Sequence, residues 1–211
     1  MANITVNNIL FSDVPLDIER DDHTLYIPPQ FIADRDQVLG WFMGVWSGLE
    51  QTLLVAVHSL LDGPYSKAGV VFSNCNGVAQ ISELLNGLGE LVLTKSEIDQ
   101  LHGLTERLRR QNTKRNRIVH GAWVPEMVIG GDAKGRPELK SVTWVRIYSP
   151  TSPSEKAKTL SKNSKKSKLK YDFTVSDVKE VGQTVEKLRN DFNNFTASIQ
   201  KRLHPEGLNM R

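Results

Sequence analysis

The apolar residues between positions 38 and 60 recur at steps of three and four, which places them along one face of an α-helix. Asp34 followed by Gln37 resembles a capping box, so the helix is predicted to begin there. Asp62-Gly63-Pro64 is predicted to end it, because proline cannot continue a helix. The apolar stripe consists of Val38, Phe42, Val45, Trp46, Leu49, Leu53, Ala56, Val57 and Leu60.

Residues 1–33 lack this periodicity and are predicted to form an N-terminal arm that extends over the core. Their short apolar pieces precede a run of acidic residues and then Tyr26-Ile27-Pro28-Pro29. The proline pair favours extended backbone over a helix. We therefore expect the regular structure to start after this arm.

Two further helices are predicted in the first half of the chain. A loop through Asn74 leads to a helix around Gly77 to Leu88, whose glycines make its ends hard to place. Thr94 and Glu97 form a T-x-x-E capping box, which predicts a helix that continues to His120. Gly121 is predicted to be the residue after its C-cap. The apolar side of this helix consists of Ile98, Leu101, Leu104 and Leu108.

Residues 122–174 have a different pattern, rich in β-branched and aromatic residues, and are predicted to form a β-elaboration. Residues 123–129 and 142–148 indicate two strands, joined by a turn over Gly130–Pro137. Residues 149–170 are rich in Ser, Pro and Lys with little to bury, which is typical of a basic loop. Tyr171-Asp172-Phe173 indicates a third strand beside this hairpin.

A last helix is predicted to begin at Thr174 with Asp177, or at Ser176 itself. Its narrow apolar seam is typical of a helix packed nearly antiparallel in a bundle. The pattern therefore predicts a single, mainly α domain over residues 1–211. Its expected core is a four-helix bundle, with the hairpin and basic loop inserted before the last helix. The seam consists of Val178, Val181, Val185, Leu188, Phe192, Phe195 and Ile199.

Composition narrows the cellular setting. A single cysteine, Cys75, excludes an internal disulfide framework and a zinc site built from several thiolates. The N-terminus shows no secretory signal pattern, and Glu50, Gln51 and His58 interrupt the apolar stretch that starts at Trp41. We expect a cytoplasmic protein that does not enter a membrane.

The net charge of +3 is modest, but the basic residues cluster in Arg107–Arg117 and in Lys156–Lys170. Such clusters favour a polyanionic partner such as RNA, and they are equally typical of a solvated surface. Trp123 and Trp144 leave a similar pair of alternatives, stacking on bases or packing in the core. We expect no metal and no cofactor, because neither metal-ligand spacings nor a phosphate-binding glycine loop occurs.

At the end of the third helix stands Arg115-Asn116-Arg117-Ile118-Val119-His120, which resembles the R-x4-6-H motif of the HEPN superfamily (higher eukaryotes and prokaryotes nucleotide-binding domains). Asn116 is the polar residue that the family prefers directly after the arginine. The resemblance covers roughly Asp34–His120 and Ser176–Leu203. It implies a metal-independent endoribonuclease acting on single-stranded RNA, with a toxin or phage-defence role and an antitoxin protein as a partner.

The resemblance also implies a site formed between two protomers, and helix geometry supplies a reason. Arg115 and His120 are five residues apart, so on a straight helix they diverge by roughly 140°. A shared site therefore needs either a distorted helix end or a second copy across a twofold axis, and the second copy is the simpler solution. In this mechanism His120 acts as general base or acid, Arg115 stabilises the phosphorane-like transition state, and Asn116 orients His120 or the phosphate. RNA contacts are expected from Arg107, Arg109, Arg110, Lys114 and Arg117.

Less specific interpretations remain open. Lys114, Arg115 and Arg117 suit the negative end of a helix, and His120 can simply cap its last turn beside Gly121. The chain would then be a non-catalytic, dimeric helical module that binds a nucleotide, RNA or a partner protein. Glu50 or His58 on the first helix could approach a site between helices or form a hydrogen-bonded pair in the interior, and Cys75 is expected to be a packing or loop residue.

Overall fold

The computed structural model describes residues 29–61, 63–131, 137–147 and 171–205. This part of the chain is mainly helical, with a small antiparallel sheet of three strands. The predicted arm up to residue 28, the tip of the hairpin turn and the Lys-rich loop lie outside the described residues. The elements in chain order are α1 (Pro29–Leu60), α2 (Tyr65–Ser73), α3 (Val78–Val92), α4 (Lys95–Val119), β1 (Trp123–Gly131), β2 (Pro137–Ile147), β3 (Tyr171–Thr174) and α5 (Val175–Leu203).

The chain forms two compact units. The helical unit comprises Trp41–Val119 and Lys179–Arg211, and the sheet unit comprises Met1–Gly40 and His120–Val178. Helices α1 and α5 contribute residues to both units. The single domain expected over residues 1–211 stays a prediction.

In the helical unit, α1 and α5 run parallel to each other. The ring of Trp41 packs against the backbone of Gly182, and the Gln200 amide donates a hydrogen bond of 2.7 Å to the Ser59 hydroxyl. Both pairs have the same sequence separation, 141 residues, so the helices advance in the same direction. A parallel pair requires a long connection between its members, and the intervening helices and strands provide it.

Helix α4 lies antiparallel to α5, as the seam of the last helix predicts for one of its neighbours. Arg202 near the end of α5 binds Glu97 at the start of α4, at 2.7 Å. Further along, Arg107 binds Asp191 at the same distance. The order of these two ion pairs along the two helices shows that the helices run in opposite directions.

Helix α3 is also antiparallel to α4. The Thr105 hydroxyl donates to the side-chain oxygen of Asn86 at 3.1 Å. Gly89, one turn later on α3, lies against Leu101, one turn earlier on α4. A Cβ at position 89 would meet the Leu101 side chain at 2.7 Å. Glycine at this position therefore allows the two helices to approach closely.

The hydrophobic stripes predicted on α1 and α5 form the core. Every residue of both predicted stripes is buried, including the large side chains Phe42, Phe192 and Phe195. Burying an aliphatic or aromatic side chain of this size stabilises a fold by about 1.5–3 kcal/mol. The periodicity therefore identified these two faces correctly. On α4, Leu101, Leu104 and Leu108 are buried as predicted, while Ile98 is half-buried.

Two of the three capping pairs predicted at helix starts form capping boxes, at α4 and α5, whereas the third, Asp34 with Gln37, lies inside α1. At α4, the Thr94 backbone N–H and hydroxyl each donate to one Glu97 carboxylate oxygen at 2.8 Å. At α5, the Thr174 N–H donates to Asp177 at 2.7 Å, and the Asp177 N–H donates back to the Thr174 hydroxyl. Each box satisfies backbone donors that the first turn of a helix leaves without partners.

The helices differ from the prediction at the start of α1, at α2 and at the C-terminal ends of α3 and α4. Helix α1 begins at Pro29 and not at Asp34, because a proline in the first turn loses no helical hydrogen bond. Helix α2 occupies residues that were predicted to be a loop. Its start was readable, since Pro64 directly precedes Tyr65 and proline is favoured at helix N-termini. Helix α3 continues to Val92, beyond the predicted end at Leu88.

The sheet unit contains the predicted hairpin and third strand, in the order β1-β2-β3. Trp123 of β1 pairs with Arg146 of β2, and Arg146 pairs with Phe173 of β3. The side chains of Trp123 and Trp144 are buried, so they pack in the core and are not exposed for base stacking. The Trp144 indole N–H donates to the Phe31 carbonyl at 2.7 Å, which joins the start of α1 to the sheet.

Among the described helices, none combines the length and apolarity that crossing a membrane requires.

Candidate functional site

Arg115 lies on the stripe of α4 that faces the helical core. Continuing the apolar positions Leu104 and Leu108 by the same alternation of three and four residues gives Gln111, Arg115 and Ile118. Ile118 is buried, and Gln111 and Arg115 are half-buried. In the last two turns of α4 the stripe therefore contains the polar side chains Gln111 and Arg115 before it ends with the apolar Ile118. The predicted arginine points toward α1 rather than away into solvent.

On α1, the partner of Arg115 is Trp46. The guanidinium carbon lies 5.9 Å from the centre of the indole ring, near the outer limit at which a cation–π contact is counted. Trp46 is buried, and its N–H donates to the Glu50 carboxylate at 2.8 Å. Trp46 and Glu50 are one helical turn apart, so this bond forms along a single face of α1.

The remaining contacts of Arg115 leave its charge uncompensated. Its Nη1 donates to the side-chain oxygen of Asn116 at 3.1 Å, a neutral acceptor. Its Nε is buried and has no hydrogen-bond partner among the described residues. No carboxylate of the described chain forms an ion pair with it. Asn116 thus contacts the arginine, whereas its predicted role was to orient His120 or a phosphate.

His120 lies one residue past the end of α4, in the sheet unit. Its side chain is exposed and forms no hydrogen bond or ion pair with the described residues. The helix was predicted to include His120, and the divergence of roughly 140° from Arg115 assumed this. Because α4 ends at Val119, that angle does not describe the position of His120. The less specific interpretation expected the imidazole to cap the last turn of the helix. The imidazole forms no such hydrogen bond with the described residues.

Gly121 has a different role from the one predicted. Among the described glycines, only Gly63 and Gly77 have positive φ, so Gly121 does not form a left-handed C-cap. Instead, a Cβ at this position would overlap the guanidinium of Arg146. Glycine is required here because a buried arginine side chain packs against the backbone.

Arg146 was missed as a notable residue, although the sequence contained an indication of it. It is a charged residue within the apolar strand 142–147, and its side chain is only 3% exposed. Charged side chains are rarely buried to this extent without a structural or functional reason. Its contact with Gly121 places it beside the residue that follows His120 in the chain.

The arginines predicted to bind RNA are largely paired with carboxylates. Arg107 binds Asp191 at 2.7 Å, and Arg110 binds Glu106 at 3.2 Å. Arg109 approaches Glu83 less closely, at 3.8 Å. These pairs are partly exposed, and pairs of this kind contribute about 0.2–1 kcal/mol. Breaking these ion pairs therefore costs little.

The two other predicted RNA-binding residues differ from each other. Lys114 is exposed and has no ion-pair partner within the described part of the chain. Arg117 is half-buried and does interact with another group. Lys114 is thus the more accessible of the two positive charges.

The remaining candidates from the sequence take structural positions. His58 is buried, as the interior interpretation expected, but neither ring nitrogen has a hydrogen-bond partner in the described structure. Its ring packs edge-on against Tyr65, with centroids 5.1 Å apart. Cys75 is half-buried, and its thiol donates to the Val71 carbonyl at 3.6 Å. Within the described residues, no three His, Cys, Asp or Glu side chains cluster as metal ligands.

No family model matches the sequence, and comparisons with curated proteins and with solved structures find no match.

Proposed function

We propose that the chain is a metal-independent endoribonuclease of the HEPN type that cleaves single-stranded RNA. The observation that carries the proposal is the state of Arg115: its guanidinium has no carboxylate partner within the described chain, while three neighbouring arginines of α4 do. An exposed histidine without a hydrogen-bond partner in the described structure follows five residues later. A free guanidinium and a free imidazole are the groups that phosphodiester cleavage without a metal requires.

The proposed reaction uses the RNA itself as nucleophile. His120 accepts the proton of a ribose 2′-OH as its oxygen attacks the adjacent phosphorus. Arg115 donates to the non-bridging oxygens, where negative charge develops in the transition state. The bond from phosphorus to the 5′ oxygen breaks, and that oxygen takes up a proton. The products are a 2′,3′-cyclic phosphate and a 5′-hydroxyl, so DNA is not a substrate.

Two catalytic protons must move, one from the 2′-OH and one to the leaving oxygen. Each chain offers one His120, and we propose that His120 of the partner subunit supplies the second transfer in a homodimer. The Asn116 oxygen accepts a hydrogen bond from Arg115. This bond fixes one edge of the guanidinium and leaves the Nη2 N–H groups for the phosphate, because Nε is buried.

The helix arrangement supports this proposal. The contacts of α4 with α1, α3 and α5 favour a four-helix bundle of the HEPN type, in which the motif lies at the end of a late helix. The same family resemblance is the basis for proposing a toxin or phage-defence role with an antitoxin partner. RNA binding along α4 would use Lys114 first, with Arg107, Arg109 and Arg110 exchanging their carboxylates for phosphates.

The decisive experiment is cleavage of a labelled single-stranded RNA by purified protein in the presence of EDTA. We expect cleavage to persist with the chelator and to be lost in His120→Ala and in Arg115→Ala. Lys95→Ala is a matched control, because Lys95 lies in an exposed ion pair at the N-terminal end of the same helix, far from Arg115. Activity that requires a metal, or that both active-site variants retain, would contradict the mechanism.

The alternative function is a non-catalytic dimeric module that binds nucleotide, RNA or a partner protein through α4. The ion pairs of Arg107, Arg109 and Arg110 favour it, because they show that much of the basic helix is satisfied within the chain. This module would bind RNA without cleaving it, and its affinity would respond equally to loss of Lys114 and of Arg115. Binding and cleavage measured on the same variants separate the two functions.

A further inference from the structure

We propose that Trp46 is a positioning residue that holds the Glu50 carboxylate away from Arg115 and thereby keeps the guanidinium free for a phosphate group. The identification of that phosphate as RNA rests on the proposed function. The clamp itself, defined as the hydrogen bond between Trp46 and Glu50, rests on contacts within the helical unit.

All three residues belong to two helices of that unit, and Trp46 contacts each of the others. Its indole N–H binds Glu50 at 2.8 Å, and its ring lies beneath Arg115 at 5.9 Å. Glu50 and Arg115 have opposite charges and a common neighbour. Yet no ion pair joins them in the described structure.

The absence of this pair is informative because carboxylate and guanidinium are preferred partners. An arginine presents a planar fork of donors that matches a carboxylate as well as it matches a phosphate. An internal carboxylate on Arg115 would therefore compete directly with the substrate. The indole N–H offers Glu50 a neutral donor that satisfies one of its oxygens without involving the arginine.

The rest of α4 shows how its arginines behave where such a clamp is not present. Arg107, Arg109 and Arg110 each bind a carboxylate, two of them from other helices. Arg115 shares its tryptophan neighbour with the Glu50 carboxylate, yet it has no ion pair among the described residues. The geometry thus points to Trp46 as the group that separates the two charges.

The test measures binding of a fluorescein-labelled oligothymidylate, a single-stranded probe that has phosphates but no 2′-OH to be cleaved. We expect W46F to weaken binding about tenfold, because the freed Glu50 pairs with Arg115. E50Q should bind at least as tightly as the unmodified protein. The double variant W46F/E50Q should recover binding to within about twofold of E50Q, since the amide cannot compete as an ion.

Two controls separate this effect from damage to the fold. W41F makes the same chemical change five residues earlier on α1, where the ring packs against Gly182, and should leave probe binding unchanged. In the R115A background, W46F should produce no further loss. The NMR resonance of the Arg115 Nε–H gives an independent measure, and it should shift in W46F and shift back toward its original position in W46F/E50Q.

The proposal is overturned if W46F weakens probe binding by the same factor in the unmodified protein and in the E50Q variant. It is also overturned if W46F weakens probe binding further in the R115A variant. An absence of saturable probe binding by the unmodified protein also overturns it. Failure of the ribonuclease proposal would look different: no variant cleaves RNA, yet the binding pattern among W46F, E50Q and the double variant is as expected. In that case the clamp stands and serves a binding module.

Discussion

Each of the two units contains an arginine over a tryptophan ring. In the sheet unit Arg35 lies 4.4 Å from the centre of the Trp144 ring, and in the helical unit Arg115 lies 5.9 Å from that of Trp46. Both rings belong to buried tryptophans. The two pairs have the same chemical composition, but their surroundings give them different capacities.

The pair in the sheet unit is electrically satisfied. Arg35 forms an ion pair with Asp36 at 2.6 Å, and the Trp144 N–H binds the backbone carbonyl of Phe31. Cation, ring and indole N–H all have partners, so the group fastens the first turns of α1 to β2.

The pair in the helical unit is not satisfied. Arg115 has a neutral partner in Asn116 and no carboxylate in the described chain, while the carboxylate of Glu50 is held by Trp46. A half-buried cation without a counterion is costly to maintain unless something else uses it. The comparison shows that the compensation of charge, rather than the residue types, distinguishes the candidate site from a structural contact.

The largest expected difference between the two pairs is in RNA cleavage. Arg115→Ala should lower kcat/KM about a thousandfold, because removing a donor to the transition-state oxyanion typically costs 10²–10³ or more. Arg35→Ala should change it by less than about twofold. Single-turnover cleavage of one labelled RNA measures both. If the two variants lose activity equally, the distinction between the pairs is wrong.

A third arginine extends the comparison to the buried Arg146. Gly121→Ala should destabilise the protein by about 1–3 kcal/mol, because the added methyl group must displace the Arg146 guanidinium. In the Arg146→Ala background the same change should cost much less. Urea unfolding of the four proteins measures this coupling. Equal costs in both backgrounds would show that Gly121 serves its backbone conformation and not the packing of Arg146.

A smaller difference is expected in stability between the two arginine–tryptophan pairs. Arg35→Ala should cost about 1–2 kcal/mol, since it removes a close cation–π contact and an ion pair. Arg115→Ala should cost less than about 1 kcal/mol, because its ring contact is longer and no ion pair is lost. Thermal or urea unfolding at one pH measures both. A larger loss of stability in Arg115→Ala than in Arg35→Ala would show that the contact of Arg115 with Trp46 is the structural one of the two.

The smallest effect concerns Arg202, a compensated arginine of the helical unit. Burial raises the pKa of its partner Glu97, but hydrogen bonds from Thr94 and from Arg202 outweigh it, so that pKa lies below its ordinary value of 4.5. The contribution of the ionised Glu97 to the stability of the fold is thus complete above pH 4.5, and it is lost as the pH falls through the pKa of Glu97 in the folded protein. Glu97→Gln should remove this acid dependence and cost about 0.2–1 kcal/mol at pH 7. Urea midpoints between pH 7 and pH 3 test it, and an unchanged profile in the variant would exclude Glu97 as the source.

Much of the local structure could be predicted from the sequence. The stripes of α1 and α5, the two capping boxes and the three strands all depend on residues within a few positions of one another, where periodicity and hydrogen-bonding chemistry are readable. Helix α2 was missed because its short, partly polar pattern resembled a loop. The start of α1 was missed because a proline pair was interpreted as a break, although proline fits a first turn.

The candidate site was predictable as a motif but not as an arrangement. The spacing from Arg115 to His120 is visible in the sequence, whereas the end of α4 at Val119 and the reason for Gly121 are not. The reason for Gly121 depends on the side chain of Arg146, which comes from β2 and packs against the glycine backbone. The prediction of a left-handed glycine cap used the commonest role of the residue, and the actual role was set by a distant neighbour.

The sequence by itself determined most of the helices and strands, the apolar faces of α1 and α5 and the positions of the basic clusters, because these properties arise from neighbours along the chain. Tertiary structure decided which arginines are paired with residues of other helices. Arg107 meets Asp191 and Arg115 meets Trp46 only because α4 packs against both α5 and α1. Coulombic and cation–π interactions act over a few ångströms in space, whatever the separation in sequence. The free charge at the end of α4 is therefore a property of the packed helices.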